Sequence, residues 1–358
     1  MEKINVLMFG PHLEATSGIS NVVNNWLSGG LQETINCHYV ATLMKYVPGR
    51  YLYKLIEASF AAGKLLATKN DFPDLIHIHL SFGMSFYRKL ILFMLARQKK
   101  LKIIIHLHGS EFEKFYYNGT QLQRHIIRWI FDMADCILVL SKSWEKFVSK
   151  ISINPNIFVL YNGVNLNIFD TKRKRDDNRI NISFMGRLGA RKGVYDLLES
   201  FEKVVAEAPN AHLIIGGDGD IKGVKRIVAQ KKLIGKVDIL GWVSGKDKVE
   251  VFRRSDIYVL PSYNEGLPGS ILEAMSVGLP IVSTPVGGIP ECVFENYNGF
   301  LVTPGAIQSL ADRLLLLCFD SQLRVKMGEA SHEIVQQKFD IEKCVSELYQ
   351  IYKRILSL

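Results

Sequence analysis

INVLMFG at residues 4–10 and INISFMG at residues 180–186 are one phrase written twice, a short apolar run closed by a glycine. Each reads as a buried β-strand ending in a tight turn. Helical spacing follows both, from about Ile19 in the first copy and about Gly193 in the second. Strand, turn and helix open a βαβ unit, so two openings half a chain apart predict two α/β domains with parallel sheets. Chain length asks for the same division, because 358 residues exceed what a single hydrophobic core of about 250–300 residues supports.

Further strands are expected at Leu75–Leu80, Ile103–Leu107, Cys136–Leu140 and Ile157–Leu160 in the first half. In the second half they are expected at Ala211–Ile215, Val237–Leu240, Ile257–Leu260, Ile281–Ser283 and Gly299–Val302. Between the halves, Asp170–Arg179 (DTKRKRDDNR) has no apolar side chain and reads as the interdomain linker. The domains are therefore expected at 1–170 and 171–340. A last segment, 341–358, carries apolar residues at Val345, Leu348, Ile351, Tyr352 and Ile355 and reads as an amphipathic helix.

Composition excludes several classes. With 48% hydrophobic and 22% charged residues the chain is an ordinary globular one, with no room for a long disordered tract. The longest apolar runs, Leu90–Ala96 and Leu314–Phe319, fall far short of the roughly 18 residues that span a bilayer. The N-terminus lacks the parts of a secretory signal, and the five cysteines are scattered without a C-x-x-C pair, so a reducing cytoplasmic location is expected.

The net charge of +9 is uneven. Residues 1–170 hold 18 Lys/Arg against 12 Asp/Glu, and the remainder 26 against 23. Arg88, Lys89, Arg97, Lys99, Lys100 and Lys102 are interleaved with Leu90–Leu95 and have no acid among them. Residues 88–102, with Arg124, His125 and Arg128, could thus lie on anionic lipid at the inner face of the membrane. A core helix ending in a solvated cationic face is the competing reading. Nucleic acid is not an expected partner, since no recognised module of cations and stacking aromatics is present.

The densest chemistry is SYNEGLPGSILEAMSVGLPIVSTPVGGIPE at residues 262–291. Gly266, Pro268 and Gly269 break the chain after a strand, and Ser270–Val277 then favours a helix. The first N–H groups and positive dipole end of that helix face a glycine-containing loop, where a diphosphate binds well. Glu265 lies in the loop and Glu273 is expected about two turns into the helix, offering two acceptors to a polyhydroxyl ligand. A turn residue and a helix salt-bridge partner is the plainer reading of the pair. Upstream, Gly186-Arg187-Leu188-Gly189-Ala190-Arg191-Lys192-Gly193 places cations on a strand-to-helix loop, where they can neutralise a departing diphosphate.

Glu265 and Glu273 with Ala274-Met275, Gly278-Leu279-Pro280 and Gly287-Gly288-Ile289-Pro290-Glu291 closely resemble the E-x7-E region of the retaining GT-B glycosyltransferases of family 4. Arg187 and Lys192 resemble that family's G-R-x4-K-G element. The resemblance spans nearly the whole chain and is concentrated in residues 180–300. It implies two Rossmann-like domains facing across a cleft, with a C-terminal helix crossing back to the first. It also implies transfer of a sugar from a UDP- or GDP-sugar, with retention, to a hydroxyl of a glycan or lipid-linked glycan acceptor in cell-surface polysaccharide synthesis. No metal and no further cofactor are implied, because Arg187, Lys192 and the helix N-terminus supply positive charge.

By the same resemblance Glu265 holds donor sugar hydroxyls and Glu273 the ribose, while Gly266, Leu267, Pro268 and Gly269 form the loop around the donor. His108, in His106-Leu107-His108-Gly109 at the end of a strand, reaches the donor sugar, Gly18 contacts phosphate or acceptor, and Val243 approaches the nucleobase. Gly18 stands in a loop longer and poorer in glycine than the family's. Asn162-Gly163-Val164, followed by Asn165 where the family has aspartate, reads as structural. Ile76-His77-Ile78-His79 and the His106 segment bring four histidines that invite a zinc site. No carboxylate or third-ligand motif accompanies them, so no metal site is expected, and His77 and His79 are read as strand histidines hydrogen-bonded near the cleft. Two other functions fit the architecture: a nucleotide-sugar epimerase, which needs no acceptor, and a non-catalytic nucleotide-sugar-binding subunit.

Overall fold

The computed structural model describes residues 3–42, 63, 72–169 and 178–358. The chain divides into two units, residues 1–163 with 341–358, and residues 164–340. Both repeats of the sequence phrase are strands: β1 Ile4–Gly10 and β7 Ile180–Met185.

In the first unit the described residues form a six-stranded parallel sheet. Its further strands are β2 Ile35–Ala41, β3 Leu75–Leu80, β4 Lys102–Leu107, β5 Cys136–Val139 and β6 Ile157–Val159. The order is β2-β1-β3-β4-β5-β6. Side-chain alternation divides its core in two. Leu7, Phe9, Ile76, Ile78, Ile103 and Ile105 point to one face, beneath helices Met84–Gln98 and Gln121–Met133. Val6, Met8, Leu75, Ile104 and Leu138 point to the other, where Trp26 of helix Gly18–Ser28 and Leu348 and Tyr352 of helix Ile341–Leu356 cover them. Each large apolar side chain buried in this way contributes roughly 1.5–3 kcal/mol.

The second unit repeats the plan with β8 Ala211–Gly216, β9 Val237–Gly241, β10 Ile257–Leu260, β11 Ile281–Ser283 and β12 Gly299–Leu301. Its order is β12-β11-β10-β7-β8-β9, all parallel. The order reverses between β7 and β10, and in such sheets the loops leaving the two strands at the reversal form the binding crevice.

Two details differ from the sequence expectation. The first unit ends at Gly163, not in the charged stretch near 170, because Leu166–Phe169 already packs with the second unit through Phe169 and Phe252. Most of the expected linker, 170–177, lies outside the described residues. The other is β2, an additional strand whose polar Asn36 and His38 break the apolar run that marks the rest. Gly163 itself sits where a Cβ would fall 2.7 Å from Ile341 Cδ1 and 2.9 Å from its Cα, and its carbonyl accepts a hydrogen bond from Asn25 Nδ2. The Asn-Gly-Val segment is thus the seat of the returning helix.

Candidate functional site

The loops at the reversal of the second sheet are Gly186–Gly193 after β7 and Pro261–Pro268 after β10. Backbone contacts bind them together. Gly193 has φ +70° and lies so close to Pro261 that a Cβ there would stand 2.0 Å from its carbonyl oxygen. Tyr263 N–H donates to Arg191 O at 2.8 Å. Gly287, φ +57°, presses on Glu265 in the same way, with a Cβ 2.0 Å from the Glu265 carbonyl, and Gly288 N–H donates to Gly266 O. Gly193 and Gly287 therefore fix the backbone of the two loops around Glu265, since no residue with a side chain fits either position without strain.

Lys192 and Glu265 meet inside this clasp. Lys192 Nζ lies 2.5 Å from Glu265 Oε1, with only 14% and 6% of the two side chains exposed. Ser262 Oγ donates to the same oxygen at 2.7 Å. Arg191, beside Lys192 in the loop, donates from Nη1 to Asn264 O at 3.0 Å and lies 3.9 Å from Glu265 Oε2. One buried carboxylate is thus met by two cations and a hydroxyl.

Helix Gly269–Ser276 follows, with Pro268 as its N-cap. A Cβ added at Gly269 would meet nothing within 4 Å, so the helix start opens on free space. Glu273 is only four residues past the helix start at Gly269 and therefore stands about one turn into it and not two. Glu273 Oε2 forms a close ion pair with Lys248 Nζ, from helix Gly245–Arg253. Leu267 is buried. Tyr258, buried within β10, connects these parts. Its hydroxyl donates to Met185 O at 3.1 Å. Burial holds its phenol far above the usual range, and the charges of Glu273 and Glu265 push the same way.

Arg187 stands apart from Lys192's partners. Its Nη1 is 3.6 Å from Asp218 Oδ2, and 71% of its side chain is exposed, which makes this pair weak and the guanidinium easy to redirect. The Gly216–Gly219 turn has a packing role. Gly217 and Gly219 lie against Gly186 and Leu188, where side chains would collide with carbonyl oxygens at 1.9 and 2.4 Å. Val243 rests against Gly216, while Trp242 is 46% exposed and so is not core. Lys248, Tyr258 and Ser262 were not singled out from sequence. A lysine in GKDK and a serine three residues before a glutamate carry no signal until the fold places them.

In the first unit Gly18 opens helix Gly18–Ser28, capped by Ser17 Oγ, which accepts from Ser20 N–H at 3.1 Å. No atom would lie within 4 Å of a Cβ on Gly18. His108 is half-buried, its Nε2 2.8 Å from His79 Nδ1. His77 Nδ1 is 2.7 Å from the Tyr352 hydroxyl. The register pairs His79 with His106 and so brings three of the four histidines together. Burial pushes His77 down to about 3 and holds His79 and His106 well below the usual imidazole range, so all three are neutral.

The family model for glycosyl transferases group 1 matches residues 167–334, and that for glycosyltransferase family 4 matches residues 23–168. The chain is 26% identical over 319 residues to the N-acetyl-alpha-D-glucosaminyl L-malate synthase of Bacillus anthracis, covering 86% of this chain and 81% of the relative. It is also 26% identical over 347 residues to the UDP-Gal:alpha-D-GlcNAc-diphosphoundecaprenol alpha-1,3-galactosyltransferase of Escherichia coli, covering 91% and 86%. Anabaena HepE, solved in complex with UDP and glucose, superposes with a TM-score of 0.76 at 17% identity over 98% of this chain and 99% of that one.

Proposed function

The chain belongs to the family 4 glycosyltransferases of GT-B fold, and from that premise we propose that it moves a sugar from a UDP- or GDP-sugar to a hydroxyl of a glycan or lipid-linked glycan. The observation that carries this reading is the clasp in the second unit: Lys192 on Glu265, beside an open helix start at Gly269. A diphosphate placed there gains the helix dipole, the first helical N–H groups and the Lys192 ammonium, with exposed Arg187 able to turn toward it. These groups stabilise negative charge as the bond to the anomeric carbon breaks, and in a transferase that supplies its own cations this stabilisation outweighs every other source of rate. Glu265, held rigidly by Ser262 and Lys192, is the acceptor for sugar hydroxyls, and Glu273 for the ribose. Retention at the anomeric carbon is part of the proposal. No side chain is assigned as a covalent nucleophile, and the departing phosphate assists the acceptor on the same face.

The lipid-linked acceptor gains support from the surface of the first unit. Met84, Tyr87, Ile91 and Met94 are exposed at helical spacing along one stripe of helix Met84–Gln98. Leu122, Trp129 and Met133 are exposed on the adjoining helix, which Trp129 joins to Phe93 by a ring contact of 5.7 Å. Cations Arg97, Arg124 and Arg128 stand on the same two helices, with Lys100 in the turn just past the first. Lys89 does not belong to this face. It is buried, burial brings its ammonium down to about 7, and Nζ donates to Ser85 Oγ at 2.9 Å. No helix among the described residues is long and apolar enough to cross a membrane, so contact with lipid would be peripheral.

Thermal shift against a panel of UDP-, GDP- and ADP-sugars tests the donor reading. Ligand that binds the folded chain raises its melting temperature, and the base with the largest rise is the donor's. No rise with any member at millimolar concentration would reject the proposal.

A further inference from the structure

His77 and His79 project from one face of β3, and register sets His106 of β4 directly opposite His79. Ligand nitrogens of the three lie within 4.8 Å of one another, all buried. Among the described residues, His77 Nε2, His79 Nε2, both nitrogens of His106 and Trp26 Nε1 have no hydrogen-bond partner. Each such atom, left dry, costs about 1–3 kcal/mol, so five together approach the whole stability of a domain. A cluster of this kind persists when a guest supplies the missing bonds.

We propose that His77, His79 and His106 form a binding site for one divalent transition-metal ion of the zinc class. Imidazole is a preferred donor for such ions, and three histidines with a fourth position left to water make a familiar zinc set. Two residues alternating on one strand with a third on its neighbour present their nitrogens from a rigid support. The nitrogens must draw in to about 3.4 Å from one another for metal–nitrogen bonds of about 2.0–2.1 Å, a matter of side-chain rotation. The remaining nitrogens of two ligands are already oriented, His77 Nδ1 by the Tyr352 hydroxyl and His79 Nδ1 by His108 Nε2. That outer set of hydrogen bonds is what metal-binding histidines require. Trp26, with ring centroids 5.5–5.7 Å from all three imidazoles, offers an N–H to the water.

Two consequences follow. Metal on His79 Nε2 places the proton on Nδ1, which then donates to His108 Nε2, so His108 carries its own proton on Nδ1. Metal on His77 Nε2 likewise makes Nδ1 the donor to Tyr352, tying helix Ile341–Leu356 to β3. The site does not depend on the identity of the sugar donor.

The test uses full-length protein carrying no polyhistidine tag and purified without chelator. Mass spectrometry of the metal content should find about one zinc-class ion per chain, and its removal by chelator should lower the melting temperature by roughly 5–10 °C, restored by Zn2+. Replacement by Co2+ should give the visible bands of a tetrahedral site. In His106→Asn and His79→Asn both the bands and the response to Zn2+ should vanish. Wild-type protein with substoichiometric metal and no response to Zn2+ would overturn the proposal and leave a water-filled cluster. Retention of the same metal and spectrum by the variants would overturn it too, as adventitious binding. The wild-type arm stands even if a variant fails to fold.

Discussion

The same phrase opens both units, yet the loops that follow it are built in opposite ways. After β7, the loop meets its neighbours backbone to backbone, with Gly193 on Pro261, Gly287 on Glu265 and Gly217 on Gly186. After β1 and β3, Gly18 and Gly83 face open space. Charge follows the same division. The second unit pairs Lys192 with Glu265 and Lys248 with Glu273, whereas the first buries His77, His79 and His106 together, with His108 half-buried beside them. A clamped, charged site suits a ligand that never varies in its diphosphate. An open loop suits one that does.

Breaking the clamp at its charge should have the largest effect. Lys192→Ala should lower kcat by about 10²–10³-fold, the range seen when one stabilising group is removed from a transition state. Turnover assays with circular dichroism as the folding control check it, and unaltered turnover would refute the assignment to phosphate. The buried Glu265 left behind should also destabilise the chain, and Lys192→Ala with Glu265→Gln should recover part of that loss.

Glycine substitution contrasts the two loops directly. Gly287→Ala should cost roughly 3 kcal/mol, from positive φ and collision with the Glu265 carbonyl, whereas Gly18→Ala should stay within about 0.5 kcal/mol. Denaturant titration reads both, and equal effects would mean that the described difference between the loops is not an energetic one. A smaller change is expected from Lys248→Ala. Glu273 then loses its partner and its fixed position, which should raise KM for the nucleotide-sugar about 5–10-fold with kcat less affected.

Acid should act on the first unit. With no metal bound, burial holds His77 at about 3 in the fold, against about 6.5 when unfolded. Between those values the unfolded chain binds a proton that the folded one refuses. Its contribution is therefore full above about pH 6.5 and is lost as the pH falls toward 3. Melting temperature should decline from pH 7 to 5, and His77→Gln should flatten that slope.

The same contrast explains what the sequence could disclose. Strands buried on both faces announce themselves as apolar runs, and the glycines of the clamp as breaks in them, so the loops that carry Lys192 and Glu265 were legible. β2 was not, because an edge strand needs no continuous apolar run. The unit boundary was misplaced because charge marks exposure, while the boundary is set by where Phe169 finds a partner. Lys89 misled for a related reason: a lysine among cations looks solvated, yet its stem and ammonium fit beneath the helix. The histidine cluster depended on register, which no spacing within one strand contains.

A crystal structure of the chain with UDP or GDP tests the central claim most directly. Diphosphate oxygens should lie within about 3.2 Å of Lys192 Nζ and of the backbone N–H at Gly269 or Ser270, with Glu273 on the ribose. A nucleotide bound away from these groups, with the Lys192–Glu265 pair untouched, would contradict it.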